Sequence, residues 1–378
     1  MIKIAIFIES LAAGGAEKAL TLLAENIDKS RFDLTVISET SGEFYSDRVA
    51  AACRLKTFAK SCGPEDFWQY KLNRVIYRLF NTLPRRLLHR FVIGRGYDIE
   101  VAFCEGFATR LIANSSNKKS KKIAFVHTDF AVNHWSLVHY KNFAEEEESY
   151  NKFDAVSCVS QSVALSFKEL FGLDEKVFVN YNPIDTAQVL SLAREELILP
   201  KTGGLRFVTA GRLVEVKGYS RLLKIAKELR DEGFLFELII LGTGQLEEAL
   251  KAYIEEEALG DCVKLLGFKA NPYPYFANSD CFVCSSYAEG FNTALAESLI
   301  LGIPIISTDC AGAAEAFGGL ECGIICPNND KALKEALKSV LEKPDRLEVF
   351  KKACRQRSGF FDLNNNIKKI EDMFLRVL

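Results

Sequence analysis

Residues 281–309 read Cys281-Phe-Val-Cys284-Ser-Ser286-Tyr-Ala-Glu289-Gly290-Phe291-Asn292-Thr293-Ala-Leu-Ala-Glu297-Ser-Leu-Ile-Leu-Gly302-Ile-Pro304-Ile-Ile306-Ser-Thr-Asp309. Two short apolar runs, Cys281 to Cys284 and Ile303 to Ile306, have strand length. Asn292 and Thr293 are good helix caps, so a helix starts there and fills the space between the strands. Strand, loop, helix and strand in that order form the βαβ crossover of a parallel sheet. Gly290 lets the loop backbone approach a ligand closely, and the free N–H groups at the helix start favour an anion above residues Phe291 to Thr293.

Glu289 then lies on one side of that anion and Glu297 on the other. Two carboxylates repel a phosphate, but they accept hydrogen bonds from hydroxyls. A ligand with hydroxyls on both sides of a diphosphate is a nucleotide sugar. A bare pair of glutamates eight apart could equally be two solvated side chains around a helix start. Gly-Phe-Asn-Thr between them, and a strand on either side, favour the site. The stretch resembles the paired-glutamate signature of the retaining glycosyltransferases of family 4, of the bacterial surface-polysaccharide type. That resemblance implies an α/β chain with the GT-B fold, two doubly wound Rossmann-like domains facing across a cleft. It also implies that Glu289 meets donor-sugar hydroxyls and Glu297 the ribose.

A chain of 378 residues is too long for one core and divides naturally into two domains. A net charge of −2 gives no global attraction to nucleic acid or to an anionic membrane, so any such affinity is local. The eleven cysteines are odd in number and show no framework, and the chain carries no signal peptide and no apolar run of membrane-spanning length. They read as reduced core thiols of a cytoplasmic protein; Cys281, Cys284, Cys322 and Cys326 are included, and no metal site is expected.

Outward from the central stretch, Ile2 to Ile8 is a buried strand leading into Gly14-Gly15-Ala16-Glu17-Lys18 and a helix to about Ile27. The Gly-Gly turn lacks the three-glycine spacing of a dinucleotide fingerprint. It resembles the first loop of the same family, placed across the cleft from the donor diphosphate. Phe32 to Ile37, Asp98 to Phe103, Lys122 to Val126, Asp154 to Val159 and Lys176 to Asn180 read as further strands, and Ser160 caps a helix to Phe171. His127 and Asp129 stand at a strand end, where α/β proteins place their sites. Val-His-Thr-Asp resembles the family's strand end whose histidine touches the donor sugar, and Asp129 is a further candidate for sugar or acceptor contact. Glu145 to Glu148 reads as a solvated helix face.

Asp66 to Arg95 differs in character. Aromatic and aliphatic residues (Phe67, Trp68, Tyr70, Val75, Ile76, Tyr77, Leu79, Phe80) alternate with Lys71, Arg74, Arg78, Arg85, Arg86, Arg90 and Arg95. Seven basic residues and no acidic one lie between Lys71 and Arg95. Such a segment suits either an anionic membrane surface or helices packed on the sheet with a solvated basic face. Nothing else supports nucleic acid.

After a polar connection from Thr186 to Gly204, the second domain opens with a strand over Leu205 to Ala210. Gly211-Arg212-Leu213-Val-Glu-Val-Lys217-Gly218 follows, and its two cations, five apart, suit a diphosphate. This loop, the Gly242-Thr-Gly244 turn after the strand Phe234 to Leu241, and Gly267-Phe268 after Cys262 to Leu266 resemble the family's donor-binding elements. Helices are expected over Lys331 to Leu341 and around Asn366 to Leu378. The expected domains are 1–185 plus the final helix 362–378, binding the acceptor, and 186–361, binding the donor.

The resemblance implies a glycosyltransferase that moves a hexose or N-acetylhexosamine, with UDP as carrier, to a glycan or lipid-linked acceptor. His127, Glu289, Arg212 and Lys217 would act at the reacting centre. Gly14, Gly15, Gly211, Gly242, Gly244, Phe268, Gly290, Phe291, Asn292, Thr293 and Glu297 would bind the donor. No cofactor and no metal is expected, and the protein would work in the cytoplasm, on the inner face of the membrane if the basic segment binds there. An idle nucleotide-sugar-binding subunit, a GT-B-like epimerase and a phosphorylase are the alternatives. The joint presence of His127, Arg212, Lys217, Glu289 and Glu297 stands against the first. The different carboxylate patterns of the epimerases stand against the second, and the far greater length of a pyridoxal-dependent phosphorylase against the third.

Overall fold

The computed structural model describes residues 1–62, 66–197, 199–200 and 203–378. Ile198, Lys201 and Thr202, in the connection expected over 186–204, lie outside the described residues. The chain divides into two compact units, Met1–Pro183 with Asn364–Leu378, and Ile184–Leu363.

The first unit holds β1 (Ile2–Ile8), β2 (Phe32–Ser41), β3 (Arg54–Lys60), β4 (Ile99–Ala102), β5 (Lys121–Val126), β6 (Ala155–Cys158) and β7 (Val177–Val179). They form one sheet in the order β3-β2-β1-β4-β5-β6-β7, with every pairing parallel. The second unit holds β8 (Leu205–Ala210), β9 (Phe236–Leu241), β10 (Val263–Leu265), β11 (Cys281–Cys284), β12 (Ile305–Thr308) and β13 (Gly323–Cys326). Their order is β10-β9-β8-β11-β12-β13, again all parallel. Continuous runs such as Ile4-Ala-Ile-Phe-Ile8 and Cys281-Phe-Val-Cys284 are buried throughout, as strands covered by helices on both faces must be. Each sheet starts at a middle strand, winds to one edge, then crosses back and winds to the other. The winding reverses between β1 and β4 and between β8 and β11, and loops at the C-terminal ends of those strands are where such sheets bind ligands.

The final helix, Leu363–Val377, belongs to the first unit. Phe374 meets the Phe32 ring edge-on at 6.1 Å, and the Glu371 carboxylate accepts from the Asp28 N–H at 2.7 Å.

Several elements depart from the sequence reading. The expected connection begins with a helix, Thr186–Leu192, because the Asp185 carboxylate caps it by accepting from Gln188 N–H at 2.8 Å. Strands β3 and β13 and the helix Arg346–Arg357 were not anticipated. The face expected to be solvated at Glu145–Glu148 is only partly so. Glu146 is fully buried, accepting from Ser136 Oγ at 2.6 Å and pairing with His134 at 2.7 Å, while Glu145 pairs with Arg110 at 2.7 Å. All eleven cysteines are free thiols, and eight are buried.

Candidate active site

The loops that follow β8 and β11 come together at the switch point of the second sheet. After β8, Gly211–Gly218 leads to the helix Tyr219–Asp231; after β11, residues 285–292 lead to the helix Thr293–Ile300. Lys217 Nζ contacts both carboxylate oxygens of Glu289, at 2.7 and 2.8 Å. Asn292 does two things at once. Its Oδ1 caps the helix by accepting from Leu295 N–H at 3.0 Å, and its Nδ2 donates to Glu289 Oε1 at 3.1 Å. Ser286 Oγ donates to the same oxygen. Glu289 is therefore held by a cation, an amide and a hydroxyl against the start of a helix whose free N–H groups attract anions. Arg212 is exposed at the opening of the first loop, and Glu297 is buried on the helix one turn past its start. Phe291 is buried, while Phe268 stands 44 % exposed behind the Gly267 turn.

Gly242 and Gly244, expected beside the donor, answer first to the chain itself. A β-carbon on Gly242 would lie 1.9 Å from the Gly211 carbonyl oxygen, and one on Gly244 would lie 2.5 Å from the Leu213 carbonyl oxygen. Their bareness lets the 242–244 turn lie flat on the Gly211–Leu213 backbone, to which Thr243 is bonded through its carbonyl (Leu213 N–H, 2.9 Å).

In the first unit, Gly14 precedes and Gly15 opens the helix Gly15–Asn26, whose start has no side-chain cap. His127 follows β5. Its backbone N–H donates to Glu105 at 2.6 Å, its ring lies 5.3 Å from that of Phe103, and burial holds the imidazole neutral, its pKa lowered to about 4. The ring bonds to the Phe103 backbone, and Nε2 is buried with no partner in the protein. A neutral ring that donates through Nδ1 keeps an unpartnered acceptor lone pair on Nε2. Asp129 follows, and its Oδ1 accepts from Ala131 N–H at 3.0 Å and closes the turn over residues 129–133.

The model of Glycosyltransferase Family 4 matches residues 13–188, and that of Glycosyl transferases group 1 matches residues 196–357. The chain belongs to glycosyltransferase family 4. Similar over nearly its full length is the N-acetylgalactosamine-N,N'-diacetylbacillosaminyl-diphospho-undecaprenol 4-alpha-N-acetylgalactosaminyltransferase of Campylobacter jejuni, 28% identical over 381 residues, 96% of each chain. The fold is GT-B, shared with Anabaena HepE in complex with UDP (TM-score 0.74, 17% identity, 100% of both chains). It is shared too with sucrose-phosphate synthase of Thermosynechococcus elongatus (TM-score 0.77, 16% identity, 100% of this chain and 99% of that one).

One residue of this glycosyltransferase passed unnoticed in the sequence. Arg221 looks like an ordinary position on an amphipathic helix, yet it is 2% exposed. Its Nε donates to the Ser285 carbonyl and its Nη2 to the Ser286 carbonyl, both at 2.7 Å. Nη2 also reaches Asn328 Oδ1 at 2.9 Å, and the guanidinium lies 4.0 Å from the centre of the Tyr287 ring. Ser285 Oγ in turn donates to the Lys217 carbonyl at 2.9 Å. Arg221 thus ties the loop bearing Glu289 to the loop bearing Lys217. Arg221→Gln is expected to lower kcat about tenfold and stability by about 2 kcal/mol, since two buried carbonyls lose a charged donor. Arg221→Lys, which restores one of those bonds, recovers part of both; thermal unfolding and initial rates measured side by side read the two effects.

The first unit also carries carboxyls that hold their protons. Burial, with the neighbouring Glu105 charge adding to it, raises Glu9 to about 7; burial and the charges of Glu9 and Glu43 raise Glu39 to about 8. A carboxyl whose pKa is raised by folding stabilises the fold while protonated. That contribution is complete below the ordinary value of 4.5 and is lost as the pH climbs through about 7 and then about 8. Thermal scans are expected to show stability falling from weakly acidic to weakly alkaline pH, and Glu39→Gln to flatten that fall. An unchanged slope in the variant would remove Glu39 from the explanation.

Proposed function

We propose that the protein moves a hexose or N-acetylhexosamine from a UDP-sugar to a glycan or lipid-linked acceptor in the assembly of a surface polysaccharide. It does so with retention of configuration, without a divalent metal and at a membrane surface. The observation that carries this reading is the Lys217–Glu289 pair beside the Asn292-capped helix start, at the switch point between β8 and β11. UDP as carrier is supported by the UDP bound to HepE, and a lipid-linked acceptor by the diphospho-undecaprenol in the name of the Campylobacter enzyme.

Cleavage of the bond from C1 to the diphosphate leaves negative charge on the β-phosphate and positive charge on the sugar. Arg212, Lys217 and the N–H groups at Asn292–Thr293 stabilise the first. In this reading the neutralisation falls to these cations, with no divalent metal. Glu289 accepts from donor-sugar hydroxyls and offsets the positive sugar, and His127 Nε2 accepts from another hydroxyl. The acceptor oxygen bonds to C1 on the face the diphosphate leaves, and its proton passes to a departing phosphate oxygen. Gly14, Gly15, Gly211 and Gly290 to Thr293 border the diphosphate, Glu297 takes the ribose, and the backbone at Phe268 meets the base. The first unit binds the acceptor.

The stereochemical part is tested by proton NMR of the first sugar released or transferred, with a chelator present. Product of the donor's own anomeric configuration at an undiminished rate is expected. Inverted product, or activity abolished by chelator and restored by Mn²⁺, would contradict the mechanism.

A further inference from the structure

We propose that the exposed face of the helix Phe67–Thr82 docks on an anionic phospholipid bilayer. The inference rests on the lipid-linked acceptor only for its purpose; the binding itself follows from the helix.

The inner face of this helix is accounted for. Asn73 is buried and donates to the Lys60 carbonyl at 2.8 Å, and Phe80 packs against Phe58 and Phe107, with ring centres 5.7 and 6.2 Å apart. The outer face is not explained by the core. Trp68, Leu72 and Val75, spaced four and then three residues apart, form one stripe along it, and Trp68 is 78% exposed. Lys71, Arg74 and Arg78, all exposed, form a second stripe beside the first. The Lys71 ammonium sits 4.2 Å from the Phe67 ring centre, so cation and aromatic side chains lie at one level. From Phe67 to Tyr97 the chain has no acidic residue, so nothing within the segment neutralises these charges. The next helix, Arg85–Val92, adds exposed Arg86, Leu87, Arg90 and Phe91.

An apolar stripe with a Trp, flanked by cations of one sign, matches the boundary between acyl chains and phosphate headgroups. The apolar side chains enter the interface while Lys71, Arg74 and Arg78 reach the phosphates. Charge complementarity selects an anionic bilayer: zwitterionic lipid has no net charge to attract the basic stripe, and the chain's own net charge of −2 adds no attraction elsewhere. No helix among the described residues is long and apolar enough to cross a membrane, so this contact lies on the surface.

The full-length protein is tested by co-sedimentation with vesicles of phosphatidylcholine alone and of phosphatidylcholine mixed with phosphatidylglycerol, at low and high salt. The chain has two tryptophans, so Trp135→Phe leaves Trp68 as the only indole reporter. Binding to the phosphatidylglycerol vesicles, weakened by salt and accompanied by a blue shift of Trp68 emission, is expected. The triple change Lys71→Glu, Arg74→Glu, Arg78→Glu should lower the partition coefficient by roughly two orders of magnitude or more, at about 1 kcal/mol per charge near the surface. Trp68→Ser should weaken it while leaving its salt dependence intact, and thermal scans check that both variants fold. Equal binding to both vesicle types, an unmoved Trp68 emission, or variants that sediment like the parent would overturn the proposal. So would tight binding to duplex RNA in place of vesicles. No donor or acceptor is present in this assay, so a failed vesicle arm removes the membrane setting but leaves the sugar-transfer reaction standing, and a failed transferase assay leaves the vesicle result standing.

Discussion

Glu289→Gln is expected to lower donor turnover by two to three orders of magnitude, on the order seen when one preorganised charge contact at a reacting centre is lost. The substitution keeps the shape of the side chain and one acceptor oxygen. It removes the charge that Lys217 contacts through both carboxylate oxygens, and it turns an N–H group towards that ammonium. A neutral amide also no longer offsets positive charge as it develops on the sugar. Affinity for UDP, by contrast, is expected to hold or to rise, because Lys217 is released from Glu289 and can serve the diphosphate alone. Calorimetric titration of UDP and steady-state rates on one preparation separate the two quantities. Turnover at the parent level would remove Glu289 from the reacting centre. Parallel loss of binding and turnover would reduce it to a support for the loop.

The largest loss of stability is expected far from that centre. Arg206 and Glu237 face each other in register near the starts of β8 and β9, and both are buried. The Arg206 guanidinium pairs with the Glu237 carboxylate and donates to the Pro200 carbonyl at 2.8 Å; Lys264 pairs with the other Glu237 oxygen. Burial pushes the Glu237 carboxyl up, but hydrogen bonds from Lys264 and Arg206 outweigh it and hold the pKa below the ordinary value. Glu237→Ala leaves a buried guanidinium without its counter-charge, which costs about 3–5 kcal/mol. Urea unfolding should show the midpoint falling accordingly. The network lies at the opposite strand ends from Lys217 and Glu289, so the folded fraction should keep its kcat. A loss below about 1 kcal/mol would mean that Lys264 and the backbone carbonyls already satisfy Arg206.

What was legible in the sequence was local. The crossover from Cys281 to Ile306 could be read because a cap residue, an apolar run and a proline turn follow each other within one short stretch. Asn292 caps the helix as that pattern requires. Strand β13 escaped because it is four residues long and begins at Gly323, whose φ of +152° and close approach to the Ile305 carbonyl are set by its neighbour strand and not by its own residues. Strand β3 is an edge strand, Arg-Leu-Lys-Thr-Phe-Ala-Lys, whose polar residues conceal it among loops. At the site, the residue types were legible and their partners were not. Lys217 and Glu289 are joined only because β8 and β11 are neighbours in the sheet, and Arg221 acquires its role from carbonyls far along the chain. The burial of Glu146 is likewise set by Ser136 and His134 folding over it, which no local run of glutamates announces.

The most direct test of the central claim is donor binding and turnover across UDP-, GDP- and ADP-sugars, with chelator present throughout. The account predicts slow release of UDP from one sugar donor, unaffected by chelator, and UDP binding that Lys217→Ala weakens. Failure of every nucleoside diphosphate to bind would contradict it.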